Sequence, residues 1–432
     1  MSLTPAAPPP KGRTAAGDEW RAYWGIVLTG FLGTSFITLP SVTLGMFMGP
    51  LESEFGWSRA EVSFGMTIFA LVGTPLAPFA GALADRFGSR RIAVPGALLN
   101  SLAFAAFGLM TGFYWQFAAI WVIYTLTQLL VRSTIWNRAA AASFSASLGL
   151  AMALIIGGIA LAQTLGPVVA QWLIANHGWR AAYIGIGLGW GGLVFLSCLL
   201  LFREARDKPV AAGSAAPAPG GALPGIDFGV ALRSSRIWRI ALAALLQSVI
   251  GAGLMIHLFP LLTEQGIARE TAAGILSFMG LAAICGQFMT GFLCDRTATT
   301  LLPMSAFFFP AMAFTFVLNA DGALPLLMAG VFCAGFGMAS CVMMINYLTS
   351  RYVGVRNFGK VHGIMSGCMG LGGGLGPLLA GVLYDFNGGY GLFLAAGALI
   401  ALLNVALVCR LGPYPDLASG VRNGETATNG KH

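Results

Sequence analysis

Residues 81–91 read GALADRFGSRR, and residues 291–296 read GFLCDR, the same Gly-x-Leu-x-Asp-Arg frame at an offset of 210 positions. That offset also relates LGPVVA at 165–170 to LGPLLA at 375–380, EFGWSR at 54–59 to EQGIAR at 264–269, and the pairs Gly149/Gly359 and Gly157/Gly367. Repetition at one fixed register is the mark of a duplicated unit, and it predicts two homologous halves. What each half is made of follows from the runs that flank the repeated frame, such as LLNSLAFAAFGLM at 98–110 and LFLAAGALIALLNVALV at 392–408. They approach or reach the roughly 20 apolar residues that a membrane helix needs.

Composition agrees. Hydrophobic residues form 57% of the 432-residue chain, charged residues 9%, and mean hydropathy is +0.78. A water-facing surface normally carries about 25% charge, so most of this surface faces something else. Apolar runs recur about a dozen times between Trp24 and Leu411, without the alternation of a membrane barrel. The expectation is an all-α membrane protein with twelve transmembrane helices, arranged as two six-helix pseudo-symmetric bundles. The divisions are a disordered cytoplasmic tail at 1–21, an N-terminal six-helix bundle at 22–202, a cytoplasmic linker at 203–236, a C-terminal six-helix bundle at 237–411 and a cytoplasmic tail at 412–432. Residues 1–21 are polar and proline-rich and do not form a cleavable signal peptide, so the first apolar span, from about Trp24, serves as an uncleaved anchor.

The net charge of +8 is a matter of topology. With the N-terminus in the cytoplasm, only Arg59, Arg180 and Arg269 of the 24 lysines and arginines fall on the outer side. That positive-inside bias predicts a multi-pass protein of the cell inner membrane with both termini cytoplasmic, and it argues against a nucleic-acid partner. The seven cysteines sit in or beside apolar spans and have neither metal nor disulfide spacing. Among the four histidines no nucleophile–base pair or metal-spaced cluster is visible, so an enzyme is not expected. No Gly-x-x-x-x-Gly-Lys-Ser/Thr loop occurs; the energy source is therefore a gradient, and no cofactor or metal is expected.

Residues 81–91 resemble the signature loop between the second and third helices of the major facilitator superfamily, and residues 291–296 resemble the degraded copy in its second half. The resemblance covers the chain from Trp24 to Leu411 and implies a carrier that works by alternating access. In that family the loop is thought to latch the inner gate, which makes Gly81, Asp85, Arg86, Gly88, Arg90 and Arg91, with Asp295 and Arg296, the gating residues. Within the superfamily, LGMFMGPLESEFGWSRAEVSF at 44–64 and HLFPLLTEQGIARETAAGILS at 257–277 look like the monocarboxylate porter and oxalate–formate exchanger branch. Two positions depart from that branch: Leu148 stands where an arginine usually precedes Gly149, and the eighth span has no Asp or Arg, so the proton relay of the animal porters does not carry over. The fifth-span antiporter signature is also incomplete, with Ala162 and Val168-Val169-Ala170-Gln171 in its place.

Ionisable and polar groups inside apolar spans mark candidate solute sites, because each costs several kcal/mol unless paired or wet. In the fourth span Tyr124, Gln128 and Arg132 recur every four residues and fall roughly on one helical face. Arg132 would offer a forked cation to a carboxylate; alternatively it snorkels to the inner interface. Arg138 lies about 240° further round the helix and cannot share that face. His257 in the seventh span is a candidate for solute or proton coupling, or a hydrogen-bonded packing residue. Asn346 and Tyr347 in the tenth span are further lining candidates. Gly166-Pro167 and Gly376-Pro377 are candidate helix-bending points. No Asp or Glu lies well inside a span, and a cavity with arginine and no acid favours an anion. The expected function is secondary active transport of a small organic anion, a mono- or dicarboxylate, by proton-coupled symport or exchange, from a monomer in the lipid bilayer. The alternatives are proton-driven efflux of a neutral or amphiphilic compound, or a transport-fold sensor without flux.

Overall fold

The computed structural model describes residues 13–144, 147–202, 226–296, 301–354, 357–409 and 411–412. Nearly all of them are helical: α1 Arg13–Phe55, α2 Arg59–Phe87, α3 Ser89–Ala105, α4 Tyr114–Gln128, α5 Ser133–Ser143, α6 Leu148–Gly185, α7 Gly191–Leu200, α8 Phe228–Arg233, α9 Ser235–Glu264, α10 Arg269–Arg296, α11 Leu301–Leu318, α12 Leu324–Val353, α13 Phe358–Asn387 and α14 Gly391–Cys409. A helix satisfies its own backbone, which is why apolar chains settle into this form where no water is available. Among the described residues, ten helical stretches are long and apolar enough to cross a membrane. One of them, Leu148–Leu200, is 53 residues long and breaks at Gly178, whose φ of 79° is a left-handed value that favours glycine. Leu302–Leu318 is a shorter apolar helix.

Two sequence expectations need correction here. The stretch 1–21 is not a tail throughout: α1 begins at Arg13, Trp20 packs on Phe144 with ring centroids 5.3 Å apart, and Glu19 accepts from the Ser147 amide and hydroxyl. The linker 203–236 is likewise helical at α8 and from Ser235 onward. The Ile226 amide donates to Val353 O, and Asn357 Nδ2 donates to Ile226 O, so this end of the linker is bound to α12 and α13 rather than loose. The seven cysteines are all free thiols.

Two long seams join helices distant in sequence, and the first borders the site. In the first, α2 lies against α13. Thr67 Oγ1 donates to Gly374 O at 2.8 Å, and a Cβ added at Gly374 would collide with Ala70. A Cβ at Gly381 would stand 2.7 Å from Ala60 N. In the second, α10 crosses α6: Ser277 Oγ donates to Thr164 O at 2.6 Å, and Gly280 faces Gln163. Small residues at these crossings let backbones approach, which is the main source of helix adhesion where both solvent and side chains are apolar. The α2–α13 contact runs from Arg59 and Asp385 to Thr74 and Gly370. Toward the Phe358 end of α13, Gly359, Gly363 and Gly367 have nothing among the described residues within 4 Å of where a Cβ would stand.

Candidate functional site: a cavity with one arginine

The fourth apolar run does not form one continuous helix. α4 ends at Gln128, Leu129–Val131 tighten into a 3-10 turn, and Arg132 is extended (φ −62°, ψ 156°) before α5 starts at Ser133. Two hydrogen bonds hold the break. The Ile135 amide donates to Arg132 O at 2.9 Å, and the Val131 carbonyl, freed by the interruption, accepts from Trp136 Nε1 at 2.8 Å. A helix interruption with its freed carbonyl satisfied inside protein is the form such breaks take at membrane depth.

The break turns Arg132 into the wall of a cavity of about 330 Å³. The cavity lies at mid-length of the bundle, between α2, α9, α12 and α13, with Ser41 of α1 completing it. Its surface is mostly Gly, Ala and methionine, including Met66, Met255, Met338 and Met369, with Gln247, Ser248 and Thr74 as uncharged polar groups. Among the described residues Arg132 is the one charged residue in the lining, and its Nη1 donates to Gly73 O at 3.0 Å. No carboxylate lies within ion-pair distance of it among the described residues. A guanidinium has five N–H donors, so most of its capacity is uncommitted. The size and lining are those of a ligand pocket, mostly apolar with a few convergent polar groups.

The other expected site residues go elsewhere. Because the helix breaks after Gln128, the face expected for Tyr124, Gln128 and Arg132 does not exist. Tyr124 is fully buried in an aromatic cluster with Phe104, Phe107 and Trp121, and Gln128 Nε2 donates to Ile37 O of α1. Arg138 reaches Ser89 Oγ at 3.2 Å. Asn346 and Tyr347 are half-buried and outside the cavity lining; on α12 it is Met338, Val342 and Ile345 that face it. His257 is also outside the lining, completely buried one residue past Ile256, which belongs to it.

His257 sits in a polar column instead. Its Nε2 is 2.9 Å from Pro377 O, and a carbonyl only accepts, so Nε2 carries the proton and Nδ1 is the acceptor. Ser63 Oγ of α2 lies 3.0 Å from the same nitrogen. The Tyr390 hydroxyl therefore donates to Nδ1 at 2.9 Å and accepts from Arg59 Nη1 at 2.6 Å. Burial pushes the Tyr390 phenol above its ordinary range, while the Arg59 charge pulls the other way, so the hydroxyl keeps the proton it donates. Pro377 has no N–H to close the helix on Gly373, and its own carbonyl is held by His257. Gly376, beside it, packs on the α9 backbone at Val249; Gly166 packs on Leu39 and Val42 ahead of Pro167 in α6.

Of the expected gating residues, Gly88 has a φ of 83° and links α2 to α3, where a Cβ would be strained. Arg90 Nη2 donates to Leu199 O, and the Arg86 and Arg296 guanidinia lie over Phe87 and Phe292. Arg91 is exposed on α3. Gly81, Asp85 and Asp295 lie outside the described side chains.

Reading the residues missed several that matter. Gln247, Ser248 and Gly73 line the cavity; Gln247, a lone amide in an apolar run, was a visible signal. Arg59, Glu264, Tyr384, Asp385 and Tyr390 converge only in three dimensions; the repeat contains Arg59 and Glu264, but its spacing does not show that they meet.

The comparisons with known proteins agree with the fold. The family model for the Major Facilitator Superfamily matches residues 30–353 and 299–428. Human monocarboxylate transporter 11 is 25% identical over 429 residues, covering 93% of this chain and 83% of its own length. The multidrug resistance protein MdtL of Shewanella oneidensis is 24% identical, over 69% of this chain and 74% of its own. The gallate transporter of Pseudomonas putida is 27% identical, over 88% and 91%. Among solved structures, a bacterial homologue of the human lysosomal transporter Spinster, inward-facing and unoccupied, superposes with a TM-score of 0.65 at 19% identity, covering 96% of this chain and 94% of that one. The chain belongs to the Major Facilitator Superfamily.

Proposed function

We propose that this transporter is a secondary carrier of a small, singly charged organic anion, moved by alternating access. The observation that carries the reading is Arg132, a cation in an apolar cavity wall that, among the described residues, holds one carbonyl and no carboxylate. A guanidinium without a counter-ion is costly at membrane depth, and a bound carboxylate supplies the missing charge in bidentate geometry. One cation among methionines, glycines and alanines fits a monocarboxylate with an apolar body better than a dicarboxylate. Transport of monocarboxylates and of gallate by similar proteins supports the same reading.

In this proposal the helices count as twelve. Leu148–Leu200 is divided at Gly178, and Leu302–Leu318 is counted as a crossing, giving two sets of six with residues 22–202 in one and 237–411 in the other. The arginine-rich loop at 86–91 faces the cytoplasm, as do both termini, and Arg59 faces outward. Asp85 and Arg86 act at the inner gate, and Gly166-Pro167 with Gly376-Pro377 let helix ends swing. His257 serves the outer seam rather than the solute. A second reading is efflux of an amphiphilic compound, favoured by the methionine-rich wall and by the similarity to MdtL.

Uptake into proteoliposomes tests the proposal, using labelled aliphatic and aromatic monocarboxylates, their amides and a dicarboxylate, with and without a pH gradient. Monocarboxylates are expected to be taken up and their amides not to compete. Equal competition by amide and acid would favour the amphiphile reading and remove the anion site.

A further inference from the structure

We propose that Arg59 is the latch that closes the transport path at the end opposite the arginine-rich loop. The inference rests on the alternating-access reading, since only a carrier needs a seam that opens and reseals. Arg59 is the first residue of α2 and is 8% exposed. Its guanidinium is engaged on every side. Nε donates to Glu52 Oε1 at 2.9 Å, Nη1 donates to the Tyr390 hydroxyl, and Nη2 pairs with Glu264. The Tyr384 ring lies 3.6 Å from Cζ, and the Tyr384 hydroxyl donates to Glu264 at 2.7 Å.

The backbone around it is tied across the seam as well. Ser58 and Glu61 form a reciprocal cap at the start of α2, with the Ser58 amide donating to Glu61 and the Glu61 amide to Ser58 Oγ. Asp385, at the far end of α13, accepts the next N–H groups, from Arg59 at 3.2 Å and Ala60 at 3.0 Å. A carboxylate there also meets the positive end of the α2 dipole. Below this layer the seam continues through Ser63, His257 and Tyr390 to Thr67 and Gly374, at the edge of the cavity.

The division of partners makes this a latch rather than fixed glue. Glu52 lies on α1, joined to α2 by the short turn at 56–58, and so belongs to Arg59's own side. Glu264, Tyr384, Asp385 and Tyr390 all belong to the opposite side. When the seam parts, Arg59 keeps Glu52, Glu264 keeps Tyr384, and Tyr390 keeps His257. Asp385 gives up the α2 amides but is exposed and passes to water. No buried ion is stranded without a partner, which is the condition for a buried pair to open and reclose cheaply. Among the described residues no ion pair joins α10 to α6 at the other crossing, so the charged closure is one-sided.

The test places a thiol inside the seam, Thr67→Cys, where the native side chain is 3% exposed. Intact cells and inverted vesicles are treated with a membrane-impermeant maleimide, and the modified peptide is quantified by mass spectrometry so that the native cysteines do not interfere. No solute is added. Arg59→Gln is expected to raise labelling from the Arg59 side about tenfold, Glu264→Gln several-fold and Glu52→Gln less than twofold. Each variant is first checked for membrane insertion and a single detergent-solubilised species. Unchanged labelling in a well-folded Arg59→Gln protein overturns the latch, and so does a Glu52→Gln effect equal to that of Glu264→Gln. Labelling is independent of anion uptake, so failure here leaves the carrier reading intact, and loss of the anion site leaves the latch intact.

Discussion

From Gly370 to Asp385, α13 lies on α2 and α9 with backbone against backbone: Gly374 meets Ala70, Gly372 meets Leu245 O, and Asp385 holds the first amides of α2. From Phe358 to Gly367 the three glycines of the same helix face open space among the described residues, while Val361 and Met365 stay buried. The glycine face of this helix is thus sealed over one half and open over the other, and the division falls at the cavity, where Gly370, Gly373 and Gly374 form part of the wall. The lesson is that closure of the path at one end does not depend on the cavity's chemistry. The sealed half uses small residues and a charged clasp, whereas the cavity uses one unbalanced cation.

That separation can be broken at several points. The largest effect is expected at the boundary itself. Arg132→Ala removes the only charge in the cavity wall among the described residues, and the loss of a desolvated ion pair of about 3 kcal/mol would lower anion uptake roughly 100-fold. Thr67→Cys labelling should stay unchanged in that background. Next is Gly374→Leu, whose side chain must occupy the space of Ala70; overpacking of about 2 kcal/mol should hold the seam ajar and reduce uptake roughly 30-fold in the same assay. Asp385→Asn keeps the shape and removes the charge at the α2 N-terminus. A cost of about 1 kcal/mol predicts a roughly fivefold rise in seam labelling. Smallest of all is Gly363→Leu on the open half, which should change uptake less than about twofold because nothing among the described residues stands in its way. Equal damage from Gly363→Leu and Gly374→Leu would erase the contrast between the two halves.

Much of the helical, membrane-spanning character was legible in the sequence, because an apolar solvent leaves a polypeptide few options. The 210-residue repeat and the signature loop pointed to the family before any coordinates. Arg132 was legible for the same reason: a charge in an apolar run is conspicuous. Its neighbours were not. Tyr124 and Gln128 shared a face with Arg132 only if the helix continued, and the interruption at 129–132 depends on Trp136 capturing the Val131 carbonyl, a contact with no periodic signature. His257 was conspicuous too, yet its partners Ser63, Pro377 and Tyr390 are 194, 120 and 133 residues away. Contacts of that span are created by the packing of the bundle. Arg59 was read as an ordinary outer-side charge because its acids lie on α1 and α9, and nothing in the local sequence brings Glu264 to it.

The central claim is that Arg132 recognises negative charge, and ligand-induced stabilisation of the purified protein measures this without requiring flux. Thermal unfolding is followed in detergent with an aromatic monocarboxylate and with its uncharged amide, for the native protein and for Arg132→Gln. At a concentration about 100 times Kd, binding should stabilise the native protein by about 2.7 kcal/mol, which raises the midpoint. The account predicts this shift for the acid alone, and its disappearance in Arg132→Gln. An acid-induced shift of the same size in Arg132→Gln would contradict it.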